Sequence, residues 1–252
     1  MQIPSGKKIY FLSDFHLGAP DYETSLAREK RIIQFLDEIK KDAEVIFILG
    51  DLFDFWYEYK KVVPKGFVRI LGKLAGLTDS GIIIYFFVGN HDMWMNGYFE
   101  KELNIQVFHE AKEFEFNGKK FLIGHGDGLG PGDHRYKMMK KVFRNKFSQT
   151  LFGLLHPSTG IGMADYFSRK SRASTGEKDE QFLGEEKEWL IIFSKEVLKK
   201  EHFDYFIFGH RHLPIEFKLN EKSIYINLGD WIKYNSYAVF DNGTVALKYY
   251  QS

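Results

Sequence analysis

The feature that most constrains the fold of this chain is a set of five short apolar runs, each followed by small and metal-binding residues. The runs are rich in β-branched and aromatic side chains, a composition typical of strands that are buried on both faces. Open α/β sheets place their ligand sites beyond the carboxyl ends of such strands. We therefore predict an α/β fold whose strand ends share one site. The five runs cover residues 8–12, 45–49, 82–88, 119–123 and 204–208.

Each run delivers oxygen or nitrogen donors to its carboxyl end. Taken singly, each of these short motifs is as consistent with an ordinary turn or helix cap as with a ligand site. Taken together they offer seven donors without sulfur, which exceeds the needs of one ion and suits two cations that share a carboxylate. Mixed imidazole and carboxylate ligands favour Mn, Fe, Zn or Co over Ca, and paired cations of this kind serve phosphoryl transfer. The candidate ligands are Asp14, His16, Asp51, Asn90, His125, His210 and His212.

One further histidine, His91, lies between Asn90 and Asp92 after the third run. We predict that His91 acts at the reacting phosphate as a catalytic residue. Asp92 is predicted to hydrogen-bond the imidazole of His91 and keep it protonated, because a neighbouring carboxylate favours the charged form.

Composition narrows the class of protein. The 252 residues are 44% hydrophobic and include no cysteine, which excludes disulfides, thiolate metal sites and a cysteine nucleophile and fits a reducing compartment. The first eight residues lack the layout of a secretory signal, and the longest apolar run, residues 82–88, is too short to span a bilayer. We therefore expect a cytoplasmic protein that is soluble or lies on a membrane surface.

Periodicity predicts the elements between these runs. Helix spacing is found over residues 26–41, 67–77, 94–103 and 177–200. The dipeptide Asn117-Gly118 between two apolar stretches predicts a β-hairpin. Four more short strands with turn residues between them, over residues 215–249, predict a single β meander.

Residues 131–175 differ from the rest of the chain and are predicted to form a helical cap, inserted into a core made of residues 1–130 and 176–252. Between residues 133 and 172 there are nine Lys or Arg and two Asp, whereas the remaining chain carries 26 basic and 32 acidic side chains. An apolar stripe beside the basic residues consists of Met138, Met139, Val142, Phe143 and Phe147. The predicted lining of an acyl groove is Phe143, Met139 and Leu151. Such helices suit a membrane surface or an acylated anionic ligand, and equally a packed helical hairpin with a solvated basic face.

The order of the motifs D-x-H, G-D-x-x-D, G-N-H-D, G-H-G-D and G-H-x-H resembles that of the calcineurin-like metallophosphoesterases, over nearly the whole chain. The resemblance implies an α/β fold of the four-layer α/β/β/α sandwich type, with two mixed sheets. It also implies a dinuclear centre for two divalent transition-metal ions, with Mn preferred and Fe, Zn or Co as alternatives. Asp51 would bridge the two metals. One metal would be held by Asp14, His16 and His212, and the other by Asn90, His125 and His210.

The insertion resembles, less specifically, the cap of one branch of that family, the UDP-2,3-diacylglucosamine pyrophosphatases of lipid A synthesis. The similarity lies in residues 133–136, residues 149–152 and the basic run near Arg169. It implies a UDP-linked diacylated amino sugar as substrate, cleaved to UMP and the acylated sugar phosphate. It also implies peripheral contact with the cytoplasmic face of the inner membrane, and we expect no nucleic-acid partner. The predicted substrate-binding residues are Tyr136, Lys140, Arg144, Arg169 and Arg172.

His91 stands where the best-known members of that branch carry Arg. Cleaving a pyrophosphate expels a phosphate ester whose second pKa is about 6, so a nearby cation suffices, whereas an expelled alkoxide gains from a general acid. His91 suits both roles, and two alternatives therefore stay open. In the first alternative, the chain is an enzyme for another nucleotide, phosphodiester or phosphomonoester. In the second, it is a non-catalytic scaffold of the same fold. The scaffold is disfavoured because every ligand position is filled.

Overall fold

Two β-sheets packed face to face organise the structure, a computed structural model that describes residues 1–131, 134–175 and 181–251. The first sheet contains β1 (Lys8–Leu12), β2 (Ala43–Leu49), β3 (Ile83–Phe87), β4 (Gln106–Phe108), β10 (Ser236–Asp241) and β11 (Thr244–Tyr249). The second contains β5 (Lys112–Phe116), β6 (Lys119–Gly124), β7 (Tyr205–Phe208), β8 (Pro214–Lys218) and β9 (Ile224–Leu228). All five apolar runs lie on strands, as predicted.

The strand order places the predicted ligand-bearing strands side by side. The first sheet runs β11-β10-β1-β2-β3-β4, with β1 to β4 parallel to one another. The second runs β5-β6-β7-β9-β8, with β6, β7 and β9 parallel. Because parallel strands end at the same edge of a sheet, the loops after β1, β2 and β3 are neighbours, and so are the loops after β6 and β7.

Successive side chains of each strand point to opposite faces of the sheet, so each strand contributes to two apolar layers. On β2, Val45, Phe47 and Leu49 join the apolar cluster between the two sheets, whereas Ile46 and Ile48 join the cluster beneath the helices. The helices on that outer face are α1 (Tyr22–Ile39), α2 (Val68–Asp79) and α3 (Tyr98–Leu103). The other outer face is covered by α7 (Trp189–Leu198), which packs on β6, β7 and β9. The predicted four-layer α/β/β/α sandwich is confirmed.

Two sequence-based predictions about elements are wrong. The long helix expected over residues 177–200 begins only at Trp189 in the described residues, because Gly184 adopts the left-handed backbone region at φ 88° and interrupts regular winding. The single meander expected over residues 215–249 is two hairpins in different sheets. The chain crosses between the sheets after β9, at the loop that carries Gly229 and Asp230, and periodicity within strands cannot reveal such a crossing.

Three helices without strands lie between β6 and α7, and we call them the helical insertion: α4 (His134–Arg144), α5 (Lys146–Gly153) and α6 (Pro157–Thr175). Many large apolar side chains of this segment are exposed, among them Phe147 on α5 at 70% and Leu154, directly after α5, at 78% relative exposure. Across the described ranges, none of the helices combines the length and apolarity needed to cross a bilayer.

Candidate metal centre

The loops that follow β1, β2, β3, β6 and β7 converge on one buried cluster of ligand atoms. In one group, single atoms from Asp14, His16, Asp51 and His212 all lie within 4.8 Å of one another. In a second group the same holds for Asp51, His125 and His210. Asp51 belongs to both groups, which is the arrangement required of a bridging carboxylate.

In the first group the donors face one another across short gaps. The Nε2 atoms of His16 and His212 are 3.2 Å apart. Nε2 of His16 lies 3.6 Å from Oδ2 of Asp51, and Nε2 of His212 lies 3.4 Å from Oδ1 of Asp14. Imidazole nitrogens and carboxylate oxygens held this close to one another suit a common cation.

The amide that was expected beside the histidines lies next to the second group. Nε2 of His125 lies 3.4 Å from Oδ2 of Asp51 and 3.1 Å from Oδ1 of Asn90. The backbone N–H of His210 donates to Asp14 at 3.0 Å, which ties the two groups together. All seven predicted ligands are therefore brought to one place.

Strained backbone surrounds these side chains. Asp14, His16, Asp51, His210 and His212 all have positive φ, between 45° and 68°, although none of them is glycine. Non-glycine residues rarely adopt this region, and such residues cluster at functional sites where the surrounding structure holds them. Five of the seven candidate ligands share this feature, which favours a functional over an ordinary loop.

Glycine is required where two of these loops touch. A Cβ at Gly50 would lie 2.6 Å from Nδ1 of His125 and 2.7 Å from the backbone nitrogen of Gly89. A Cβ at Gly209 would lie 2.5 Å from Oδ2 of Asp14. The glycines that end the apolar runs therefore serve close approach of neighbouring loops, as well as the left-handed turn at Gly50.

Two of the imidazoles that face the cluster through Nε2 have a hydrogen-bond partner at Nδ1. Nδ1 of His125 lies 2.6 Å from the carbonyl oxygen of Leu49, so this nitrogen carries the proton and donates it. Nδ1 of His212 lies 3.3 Å from Asp230. Nδ1 of His16 lies 3.4 Å from Oδ1 of Asp54 but forms no hydrogen bond with the described residues. Metal-binding histidines in proteins are oriented by such partners.

Asp230 and Asp54 were not predicted as site residues. Asp54 is the last residue of the G-D-x-x-D motif, so its position was visible in the sequence. Asp230 follows Gly229 directly after the apolar strand β9, which repeats the pattern of the five runs. Reading that sixth strand end in the same way would have found Asp230.

Two buried arginines hold the ligand loops, and neither was predicted. Arg28 of α1 donates to the carbonyl oxygens of Phe15, His16 and Ala19, at 2.8–2.9 Å. Arg211, between two candidate ligands, points away from them and pairs with Glu188 through two contacts of 3.1 Å. Both arginines fix backbone conformation around the candidate ligands.

Electrostatics inside the cluster fit a cation. Burial opposes charge on His125, yet Asp51 outweighs burial and raises the pKa of His125 to about 10. Burial likewise opposes ionisation of Asp14, but His212 and His16 lower the pKa of its carboxyl to about 2. Among the described residues, Oδ1 of Asp14 and Oδ2 of Asp51 are buried oxygens that accept no hydrogen bond. Buried carboxylate oxygens of this kind are costly unless they bind a cation, so the cluster fits a divalent-metal site.

The predicted interaction between His91 and Asp92 is not the one observed. The Asp92 carboxylate accepts backbone N–H groups of Gly89 and Leu52, both at 2.8 Å, and so holds the loops after β2 and β3. His91 instead donates from Nδ1 to the carbonyl oxygen of Asp54 at 2.9 Å. Burial lowers the pKa of His91 to about 4, so in the absence of ligand the ring is neutral and Nε2 is its unprotonated nitrogen.

The helical insertion packs beside this cluster. Lys140 contacts the Asp127 carboxylate and donates to its carbonyl oxygen at 2.9 Å, and Arg144 donates to the carbonyl oxygen of His109. Both line an open cavity of about 820 Å³ that reaches His125. Of the predicted substrate-binding residues, these two are therefore brought to the site. The side chains of Tyr136, Arg169 and Arg172 lie outside the described part of the chain.

Fold and site together define a metal-dependent phosphoesterase, and the comparisons with known proteins agree. The chain belongs to the calcineurin-like phosphoesterase family, whose sequence profile matches residues 7–214. It is 41% identical to the UDP-2,3-diacylglucosamine hydrolase of Porphyromonas gingivalis (strain ATCC BAA-308 / W83), over 96% of this chain and 97% of that protein. It is 29% identical to the UDP-2,3-diacylglucosamine hydrolase of Shewanella sp. (strain W3-18-1), over 90% of both chains.

Among solved structures, the phosphoesterase Yfce from E. coli aligns at 14% identity and a TM-score of 0.45. The alignment covers 95% of this chain and 91% of that one.

Proposed function

We propose that the protein hydrolyses the pyrophosphate bond of UDP-2,3-diacylglucosamine, releasing UMP and 2,3-diacylglucosamine 1-phosphate. Water adds to one phosphorus and the bond from that phosphorus to the bridging oxygen breaks. The relatives from Porphyromonas gingivalis and Shewanella support this proposal, because both are named UDP-2,3-diacylglucosamine hydrolase. The observation that carries the proposal is the insertion, which sets a basic, apolar-rich surface beside a phosphoesterase centre.

Asp14, His16 and His212 would hold one divalent ion, and Asn90, His125 and His210 the other. Asp51 would bridge the two ions, and Mn is the metal that we propose. Bound there, two cations neutralise phosphate charge and make water available as a nucleophile at neutral pH.

His91 lies at the edge of this cluster, with its ring 4.8 Å from that of His16. The negatively charged pyrophosphate of the substrate beside it favours the imidazolium form, which then donates from Nε2 to the departing oxygen. The Asp54 carbonyl fixes the ring for this role by accepting from Nδ1. Asp92 contributes indirectly, through the backbone of both loops.

The helical insertion, residues 131–175, serves as a cap that receives the acylated part of the substrate. Lys140 and Arg144 lie on its inner side, and Tyr136, Arg169 and Arg172 complete the set of proposed phosphate and sugar contacts. The exposed apolar residues of α4 to α6 are available to acyl chains and to the cytoplasmic surface of the inner membrane. The exposed members of this apolar surface are Met138, Met139, Val142, Phe143, Phe147, Leu151, Leu154, Met163, Tyr166 and Phe167.

The test is to incubate the purified protein and Mn²⁺ with UDP-2,3-diacylglucosamine, and separately with the same UDP-sugar lacking acyl chains. Products are measured by mass spectrometry. We expect UMP from the acylated substrate at a rate at least about tenfold higher, since burying even a few methylene groups contributes several kcal/mol. Equal rates on both substrates would reject the acyl-binding role of the insertion. Absence of UMP from both would reject the proposed reaction.

A further inference from the structure

One hydroxyl of the helical insertion reaches two residues that flank the candidate metal centre. Oγ of Ser168, on α6, donates to Oδ2 of Asp54 at 2.8 Å and lies 3.3 Å from Nδ1 of His91. Ser168 is 114 residues away from Asp54 in the chain. The contact therefore depends on how the insertion is seated on the core.

Asp54 connects that hydroxyl to two residues of the site. Its other carboxylate oxygen, Oδ1, lies 3.4 Å from Nδ1 of His16 and 3.7 Å from Nδ1 of His91. Its backbone carbonyl accepts the hydrogen bond from His91. A shift of the Asp54 side chain would therefore change its contacts with His16, a candidate metal ligand, and with His91, the proposed leaving-group histidine.

The simpler explanation is that Ser168 only attaches α6 to the core. Other contacts already do so for the insertion. Trp94 donates from Nε1 to the carbonyl oxygen of Phe143, and Tyr57 donates to that of Gln149, both at 2.7 Å. Neither of these bonds involves a residue beside the metal cluster, whereas the Ser168 hydroxyl donates to the carboxylate of Asp54, which faces His16.

We propose that Ser168 is a positioning residue, supplied by the cap, which orients Asp54 and through it His91 and His16. The catalytic site then has all its positioning contacts only when the cap is packed against the core and Ser168 donates to Asp54. The proposal rests on the proposed function only in assigning His91 its role at the departing oxygen. Outer partners of metal sites typically affect affinity or activity by about 10- to 100-fold.

The experiment compares Ser168→Ala, Ser168→Thr and Ser158→Ala with wild type in the Mn²⁺-loaded protein. Ser158 is exposed on the same helix and provides the matched control. Each variant is assayed with UDP-2,3-diacylglucosamine and with bis(p-nitrophenyl) phosphate, a small diester that lacks acyl groups. Bound Mn and melting temperature are measured in parallel.

We expect Ser168→Ala to lower kcat about tenfold on both substrates and to leave KM for the lipid nucleotide within about twofold. Ser168→Thr keeps the hydroxyl and should restore most of the activity, and Ser158→Ala should match wild type. In an Asp54→Ala background, Ser168→Ala should have no further effect, because the group through which it acts is absent.

Two results would overturn the inference. A rise in KM for the lipid nucleotide alone, with kcat unchanged on both substrates, would show that the hydroxyl only attaches the cap. Independent, multiplying effects of Ser168→Ala and Asp54→Ala would show that it does not act through Asp54. If wild type cleaves the small diester but not the lipid nucleotide, the proposed substrate fails while the Ser168 comparison on the diester still stands.

Discussion

The hydroxyl of Tyr57 donates a 2.7 Å hydrogen bond to the backbone carbonyl of Gln149, and a Cβ added at Gly153 would overlap the same oxygen. A loop of the core and a helix of the insertion are thus in contact without space for a methyl group. The contact between the core loop and the insertion is aromatic, because Tyr57 also packs against Trp94 and Phe152.

We therefore expect Gly153→Ala to lower the free energy of unfolding by about 1–3 kcal/mol, because the new Cβ overlaps the Tyr57 oxygen. In a Tyr57→Phe background the same change should be neutral or stabilising, since the next atom of the ring is 3.5 Å away and alanine favours helix. Urea unfolding of the four proteins gives the coupling free energy. Gly162→Ala is the control, because a Cβ there meets nothing within 4 Å. Additive effects of the two changes would contradict the packing described.

Asp51 belongs to both ligand groups, so its replacement tests the dinuclear assignment. Asp51→Asn should lower bound metal per chain and reduce Mn²⁺-dependent hydrolysis by more than about 100-fold. The loss of a bridging ligand should reduce activity more than the loss of an outer partner, which typically costs about 10- to 100-fold. Asp230→Asn should have a smaller effect, of about 10- to 100-fold. Elemental analysis after gel filtration and initial rates provide the measurements. Asp37→Asn, at an exposed ion pair with Lys73, serves as the control. Full metal content in the Asp51 variant would exclude a bridging role.

His91 should tolerate replacement by another cation. Because the departing phosphate ester has a second pKa of about 6, it needs charge more than a proton. We expect His91→Arg to keep UDP-2,3-diacylglucosamine hydrolysis within about tenfold of wild type, and His91→Ala to lose about 10²–10³-fold, the usual range for a group that stabilises developing charge. The measurement is kcat for UMP release. Complete loss in the arginine variant would contradict the leaving-group argument.

The apolar face of the insertion should bind anionic membranes. Replacing Phe147 and Leu154 by aspartate removes two exposed apolar groups and should weaken vesicle binding more than tenfold, since each side chain contributes about 1.5–3 kcal/mol when fully buried. Co-sedimentation with phosphatidylglycerol vesicles measures the change. Val68→Asp is the matched control, because Val68 is 75% exposed but lies on α2 of the core. Equal loss in the control would show that the insertion has no special role.

Stability should depend on pH through Asp42. Burial opposes its ionisation, but hydrogen bonds from Lys8 and Tyr10 outweigh burial and lower the pKa of the carboxyl. A carboxyl with a lowered folded-state pKa stabilises the protein above its unfolded pKa of about 3.9, and this contribution is lost as pH falls through the folded value. We expect Asp42→Asn to cost about 1 kcal/mol at pH 7 and progressively less below about pH 4. Urea unfolding across this range tests it, and a cost that grows as pH falls would reverse the sign.

The four-layer sandwich was implied by the family resemblance, whereas the sequence by itself determined the five buried strands and the seven candidate ligands. Both follow from local pattern, because an apolar run predicts a buried strand, and its terminal glycine and polar residues predict what that strand presents at its end. The hairpin at Asn117-Gly118 was equally local. Such features depend on neighbours in the chain and need no knowledge of distant contacts.

Only the tertiary structure decided which partners those residues have. Asp92 holds backbone amides rather than His91, Arg211 pairs with Glu188, and Ser168 reaches Asp54 from the insertion. It also decided that β9 and β10 belong to different sheets. The physical reason is that a buried charge or hydroxyl binds whichever complementary group the packed layers bring within about 3 Å. That group usually lies far away in the chain, where no periodicity or motif spacing records it.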